Sequence, residues 1–499
     1  MQSRRLFIRQ AGFTTASLLF AQKILADPYR PLLLPNPAVD PIRVRGVVRS
    51  EGKGIPNIAL SDGRTVVRTQ SDGTFTLPST SSQEFVHLSL PSGYAIPQNA
   101  TGTALFYQPI KSNGEGEASA QFDLTPLLVP DTKHAFFQLA DPQTLDDADM
   151  KRFRQETVPD VLAMTHGLGT QPLFGVTCGD IMYDRLQYFP DYEQGVREMN
   201  LPFFQVMGNH DVDIAMRTDE ASSATFRKHF GPAHYSFNRG EIHYIVLDNI
   251  FWFGGYIGYI DQTQLDWMKA DLTLVEKGRT VVVFMHIPLY NEQHLRKGMK
   301  TPENSLIVTN RELVFQLLEG YKAYVLTGHM HESEYVTQGN VEIHVNGAVC
   351  GAWWTADICE DGTPNGYSVY EVNGSDLMWQ YKSTGKSLER QMTIHPKGSD
   401  INHPEEVFAN IWGADARWTV AWYEDGMKRG LMERRLSKDP EAMKLFMGPD
   451  LPHRHKWIEP GATDHLFYAK PGPGAKEVTV EAKDGAGRVY TGRMKMGSG

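Results

Sequence analysis

Residues 174–180 read FGVTCGD, an apolar run of strand length that ends on a glycine and an aspartate. The same arrangement recurs four times. AFFQLA (135–140) runs into Asp141, and FFQVM (203–207) runs into Gly208-Asn209-His210. TVVVFM (280–285) runs into His286, and AYVL (323–326) runs into Thr327-Gly328-His329. Apolar runs without alternation indicate a sheet covered on both faces. Helical patterns lie between them, at 192–199, 262–274 and 310–318. Ligands of such α/β folds bind beyond the carboxyl ends of the strands, where all five runs place polar residues. Residues 131–385 are therefore expected to form an α/β catalytic domain.

On either side the pattern changes. Residues 27–130 open on a proline-rich linker (28–41) and continue as short β runs: IRVRGVV, NIAL, RTVVRT and TFTL. Turns at Ser61-Asp62-Gly63 and Ser71-Asp72-Gly73 divide them. Asp-Gly between apolar runs is a hairpin signal. This segment reads as a small β-sandwich and resembles the carboxypeptidase regulatory-like domain. Residues 386–499 return to β patterning (VFANIWG, TVAWYEDG and a hairpin around Asp484-Gly485) and read as a second β-sandwich.

Residues 1–26 read as an export address. Arg4, Arg5 and Arg9 precede the apolar stretch 11–21. That stretch is shorter than the ~20 residues a membrane span needs. Ser3-Arg4-Arg5-Leu6-Phe7-Ile8 resembles the twin-arginine signal, with Ala26 as the last residue before cleavage. Its loss would remove Arg4, Arg5, Arg9 and Lys23 and no acid, taking the net charge from −10 to −14. The expectation is a periplasmic protein, handed folded to the twin-arginine translocase, without a transmembrane anchor once the signal is removed. Lys plus Arg number 49 against 59 Asp plus Glu, which disfavours a nucleic-acid partner. The three cysteines, Cys178, Cys350 and Cys359, are too few for a disulfide scaffold or a structural zinc module.

The strand ends bring together Asp141, Asp180, Asn209, His210, His286, His329 and His331. Carboxylate and amide oxygens mixed with imidazole suit Fe, Mn or Zn, and the lack of thiolate argues against a soft metal. Two metals sharing an aspartate can activate a water and hold both oxygens of an in-line phosphoryl displacement. The ordered series Asp141-x-Gln143, Gly179-Asp180, Gly208-Asn209-His210-Asp211, His286, Gly328-His329-Met330-His331 resembles the calcineurin-like metallophosphoesterases. That resemblance implies a four-layer αββα sandwich, here flanked by two smaller all-β sandwich domains. It implies one metal on Asp141, Asp180 and His331, and a second on Asp180, Asn209, His286 and His329. His210 would protonate the leaving oxygen or hold the phosphoryl group, with Asp211 orienting its ring and Asp184 as the other candidate. Gln143 stands where the family usually has a histidine and joins the metal candidates as a weaker, amide ligand. Tyr183, three residues after Asp180, gives a local pattern resembling the purple acid phosphatases, whose tyrosine ligates ferric iron; packing or a pocket wall is the other reading. The three-domain order resembles a bacterial branch of the family.

Beyond these motifs, Trp353 and Trp354, beside glycines, suit a loop over the site that grips a substrate's organic part, with core packing as the alternative. Cys350 and Cys359 could form a disulfide after export, and Cys178 reads as a core thiol. His453-Arg454-His455 reads as a surface turn. The expected function is hydrolysis of a small phosphorylated substrate, a mono- or diester, by a metal-bridging hydroxide. The alternative is an envelope glycan- or partner-binding protein with a degenerate phosphoesterase domain.

Overall fold

The computed structural model describes residues 39–452 and 454–496. The export signal, most of the linker and His453 lie outside the described residues. At the centre two sheets pack face to face. One has the order Phe203–Val206, Leu173–Cys178, Lys133–Leu139, Gly366–Asn373, Asp376–Ser383. Its first three strands run parallel, and Gly366–Asn373 is antiparallel to both of its neighbours. The other has the order Tyr235–Arg239, Ile242–Val246, Thr280–Phe284, Lys322–Thr327, Val341–Val345, Glu334–Gln338, and its four inner strands are parallel.

Aromatic side chains fill the space between the sheets. Phe136 stacks on Phe174 at 5.0 Å and on Tyr370 at 4.7 Å, and Phe204 stacks on Phe237 at 4.0 Å. Each fully buried ring contributes roughly 1.5–3 kcal/mol. Cys178 belongs to this layer, as its sequence context predicts. The outer face of the first sheet is covered by helices Val158–Gly167 and Phe189–Glu198, through Val158, Val161, Phe189, Tyr192 and Val196. Helices Gln262–Leu272 and Arg311–Leu318 cover the second, through Leu265, Trp267, Met268, Val314 and Leu318. Asp261 caps the helix Gln262–Leu272 by accepting the Gln264 N–H. The result is the four-layer αββα sandwich.

Before it, Pro41–Ser50 pairs with Thr74–Thr80 and Glu117–Asp123, and a second small sheet runs from Val66–Arg68 to Tyr107–Pro109. After it, two four-stranded sheets enclose a core of Val407, Ile411, Val420, Phe467, Val478 and Val480. The hairpin around Asp484-Gly485 joins Glu477–Lys483 to Val489–Lys495. One helix, Pro440–Met447, interrupts the β order; its N-terminus is capped by Asp439. Among the described residues no helix is long and apolar enough to cross a membrane.

Candidate metal centre

Five strands end at one edge of the central sandwich, and the loops that leave them carry the series read from the sequence. These loops fold tightly. Asp141 (φ +50°), Gln143 (+41°), Asp180 (+47°), His329 (+73°) and His331 (+49°) all adopt the left-handed region. That conformation costs a non-glycine residue on the order of 1–3 kcal/mol, and such strain clusters at functional sites. The neighbouring glycines are set by space. A Cβ on Gly208 would lie 2.0 Å from the Asp180 nitrogen, and one on Gly328 would lie 2.5 Å from Asp141 Oδ2. Backbone packs directly against both carboxylates.

The histidine tautomers follow from their outer hydrogen bonds. His286 Nδ1 meets the Cys178 carbonyl at 2.8 Å, His329 Nε2 the Ser305 carbonyl at 2.9 Å, and His331 Nδ1 the Gly351 carbonyl at 2.9 Å. A carbonyl only accepts, so each of those nitrogens carries a proton and the other nitrogen turns inward. His286 Nε2 then faces Asp180 Oδ1 at 3.2 Å, Asn209 Oδ1 at 3.1 Å and His329 Nδ1 at 3.2 Å. Nearby, His331 Nε2 faces Asp141 Oδ1 at 3.7 Å. Asp180 is also an electrostatic neighbour of both Asp141 and His331. Its Oδ1 accepts the His210 N–H at 2.9 Å, and its Oδ2 accepts the Gln143 amide at 3.0 Å.

This cluster is short of positive charge. Burial pushes Asp141 up to about 8, with the neighbouring Asp180 carboxylate adding to the rise. Burial also raises Asp180, but His286 and His210 outweigh it and hold the carboxyl below its usual range. Burial lowers His286, yet Asp180 and Asp141 overcome it and bring the ring up to about 9. Burial takes His329 down to about 3 and His331 to about 4, leaving both rings neutral with a free lone pair. Acceptors gathered around one proton fit a metal cation, which can serve all of them at once. Asp180, His286 and His329 offer ligand atoms within 4.8 Å of one another.

His210 keeps a quarter of its side chain exposed beside this cluster, and its Nδ1 meets Asp184 Oδ1 at 2.8 Å. Asp184, not Asp211, is thus the ring's partner. Asp211 is fully buried and turns the other way, where it accepts the N–H groups of Gly208, Met182 and Ile181 at 2.9–3.1 Å. Burial and the neighbouring Asp180 outweigh these three donors and push its carboxyl up to about 7, and through the donors Asp211 ties two motif loops together. Adjacency in sequence misleads here because the two side chains leave a tight turn in opposite directions.

The tryptophans divide. Trp353 stacks on His331 at 3.9 Å and 11°. Trp354 is buried, donates from Nε1 to the Pro142 carbonyl at 2.8 Å and lies under Arg152, so it props the Asp141 loop and is no substrate contact. Tyr183 stacks on His210 at 4.5 Å, as a pocket wall. Cys350 and Cys359 are free thiols and form no disulfide. The Cys359 sulfur accepts the Ala348 N–H, while Cys350 faces Gln143 and His331. Arg454, read from the sequence as part of a surface turn, instead grips buried Asp149 with two bonds of 2.8 and 2.9 Å and so brings the third domain to the site. No signal distinguishes that arginine in the sequence.

Three family models match in chain order. The N-terminal model of the calcineurin-like phosphoesterases matches residues 42–127, the phosphoesterase model 137–333 and the C-terminal model 343–490. Purple acid phosphatase 15 of Arabidopsis thaliana is 30% identical over 148 residues, 27% of this chain and 25% of that protein. A 3',5'-cyclic-nucleotide phosphodiesterase of Nostoc is 26% identical over 172 residues, 34% and 56% of the two chains. The chain thus spans between a quarter and little more than half of these relatives' lengths. Among solved structures, a purple acid phosphatase from yellow lupin covers 69% of this chain and 67% of its own at 12% identity and a TM-score of 0.38. A dimetal phosphatase from Danio rerio covers 50% and 96% at 13% identity and a TM-score of 0.35. With its N-terminal, catalytic and C-terminal parts all matched, the chain belongs to the calcineurin-like phosphoesterase family.

Proposed function

We propose that this chain is an exported, metal-dependent hydrolase of phosphate mono- or diesters that uses two metals. The observation that carries the reading is the inward convergence of Asp180 Oδ1, Asn209 Oδ1, His286 Nε2 and His329 Nδ1, with Asp141 and His331 paired at 3.7 Å beside them. Asp180, Asn209, His286 and His329 would hold one metal, and Asp141, Asp180 and His331 the other. Such ions supply Lewis acidity and a nucleophile at neutral pH. Fe, Mn and Zn all suit these ligands. Gln143 serves this set through Asp180, to which it donates. The twin-arginine pattern in residues 1–26 supports export to the periplasm.

The chain's own part in the reaction centres on His210. Asp184 fixes its ring through Nδ1, which leaves Nε2 as the nitrogen available to a substrate. Burial lowers the ring's affinity for protons, but Asp180 and Asp184 outweigh it and keep the ring's pKa above its ordinary value. His210 Nε2 therefore holds a proton for the ester oxygen. As water oxygen bonds to phosphorus and the P–O ester bond breaks, the departing oxygen takes that proton and leaves as the alcohol. The backbone N–H groups of His210 and His329 hold Asp180 and Asp141 in place.

The test is hydrolysis of 4-nitrophenyl phosphate and bis(4-nitrophenyl) phosphate by residues 27–499, supplied with Mn or Fe, beside Asp180→Asn. Turnover of at least one ester by the wild type and loss of it in the variant are expected. Equal turnover by both proteins would overturn the reading.

A further inference from the structure

Four aromatic rings form an unbroken chain from His210 to His331. Tyr183 stacks on His210 at 4.5 Å; His455 lies 5.7 Å from Tyr183; Trp457 lies 5.7 Å from His455; and Trp353 lies 4.6 Å from Trp457 and stacks on His331 at 3.9 Å. Two of the rings, His455 and Trp457, come from the third domain. They are held at the site by Arg454, which binds Asp149 a few residues beyond Gln143. A small apolar cluster supports the same junction, in which Ala352 and Ile358 of the tryptophan loop pack with Ala442, Phe446 and Ile458. Trp457 is nonetheless 54% exposed, although it lies against a buried neighbourhood. A large ring left in water beside a reaction centre has surface to offer a ligand.

We propose that His455 and Trp457, with Tyr183 and Trp353, form the leaving-group subsite, and that the preferred substrates are phosphate esters whose alcohol carries a flat ring. This rests on the phosphoesterase reading, since it takes His210 as the residue that faces the departing alcohol. The arc starts at His210, so the group it meets is the part of the ester that leaves. Ring faces and edges bind planar groups by stacking, without regard to their hydrogen-bonding pattern. A nucleoside and a simple aryl group share that chemistry.

The experiment compares adenosine 5'-phosphate and phenyl phosphate with glycerol 1-phosphate, using the metal-replete chain and the variants Trp457→Ala, His455→Ala and Arg454→Ala. Adenosine and glycerol phosphates both release a primary alcohol, so their ratio isolates the ring. Trp457→Ala is expected to lower kcat/KM for adenosine phosphate by about ten-fold and to leave glycerol phosphate within two-fold or so. Arg454→Ala, which frees the segment, should fall in the same direction, with thermal stability reported alongside. A matching loss on phenyl phosphate assigns the subsite to flat rings in general, whereas a loss confined to the nucleotide narrows it to nucleosides. Equal losses on ring-bearing and ring-free esters, or none on either, would overturn the proposal. If the wild-type chain hydrolyses none of the three, it is the phosphoesterase reading that fails.

Discussion

At the scale of single residues, the site separates groups that bear charge from groups that place them. Asp184 places His210, and partners of this kind are typically worth about 10–100-fold in activity. Asp184→Asn is therefore expected to lower kcat by that factor on an alkyl phosphate and by much less on 4-nitrophenyl phosphate, whose phenolate leaves without a proton. Equal losses on the two esters would show that Asp184 serves the fold alone. Gln143 acts on Asp180 through one hydrogen bond, so Gln143→Ala should cost less activity than Asp180→Asn when turnover is measured at saturating metal. The carboxylates, amide and histidines of the site were legible because each ends an apolar run. The assignment of Asp211 was not, since its true partners are backbone amides 181, 182 and 208, which no side-chain pattern records. The carbonyls of Cys178, Ser305 and Gly351, which set the three histidine tautomers, are equally silent in sequence.

At the scale of elements, the strands were read well and the props beneath them poorly. AFFQLA, FGVTC, FFQVM, TVVVFM and AYVL all coincide with strands, because burial on both faces leaves no room for polar alternation. The helix Val158–Gly167 escaped notice, since only Val158 and Val161 are fully buried on it, with Met164 partly so. Trp354 shows why a loop tryptophan is ambiguous: its neighbour Trp353 faces the site, while Trp354 itself packs under the Asp141 loop. Trp354→Ala should destabilise the chain by roughly 3–5 kcal/mol, seen as a lower midpoint in chemical denaturation, whereas half-exposed Trp457→Ala should leave the midpoint nearly unchanged. Gly208→Ala should abolish turnover without unfolding the sandwich, because the added carbon collides with Asp180 and not with the core.

At the scale of the whole molecule, three domains share continuous packing. The inter-sheet core extends into the first domain through Leu77, Val86, Leu88 and Phe106, and the third domain reaches the site through Arg454 and the helix Pro440–Met447. Buried histidines couple stability to pH. Burial lowers His87 to about 3, with His234 contributing, and lowers His134 to about 4. Above pH 6.5 both are neutral whether the chain is folded or not. Below it the unfolded chain binds protons that the folded chain refuses, so stability falls as the pH drops toward 4. Thermal midpoints recorded from pH 7 to 4 should decline, and His87→Leu should decline less steeply; parallel slopes would show that His87 is not among the groups responsible. The account as a whole depends on the proposed metal centre, whose ligands all come from the central domain and which the third domain reaches through Arg454. The most direct test is the number of Fe, Mn or Zn ions bound per chain in residues 27–499 and in Asp180→Asn, with phosphate-ester turnover read on the same samples. A centre bridged by Asp180 predicts about two metals per wild-type chain with turnover, and loss of both in the variant. Fewer than one metal per wild-type chain, with no turnover of either ester, would contradict it and point to a binding protein built on a silent phosphoesterase fold.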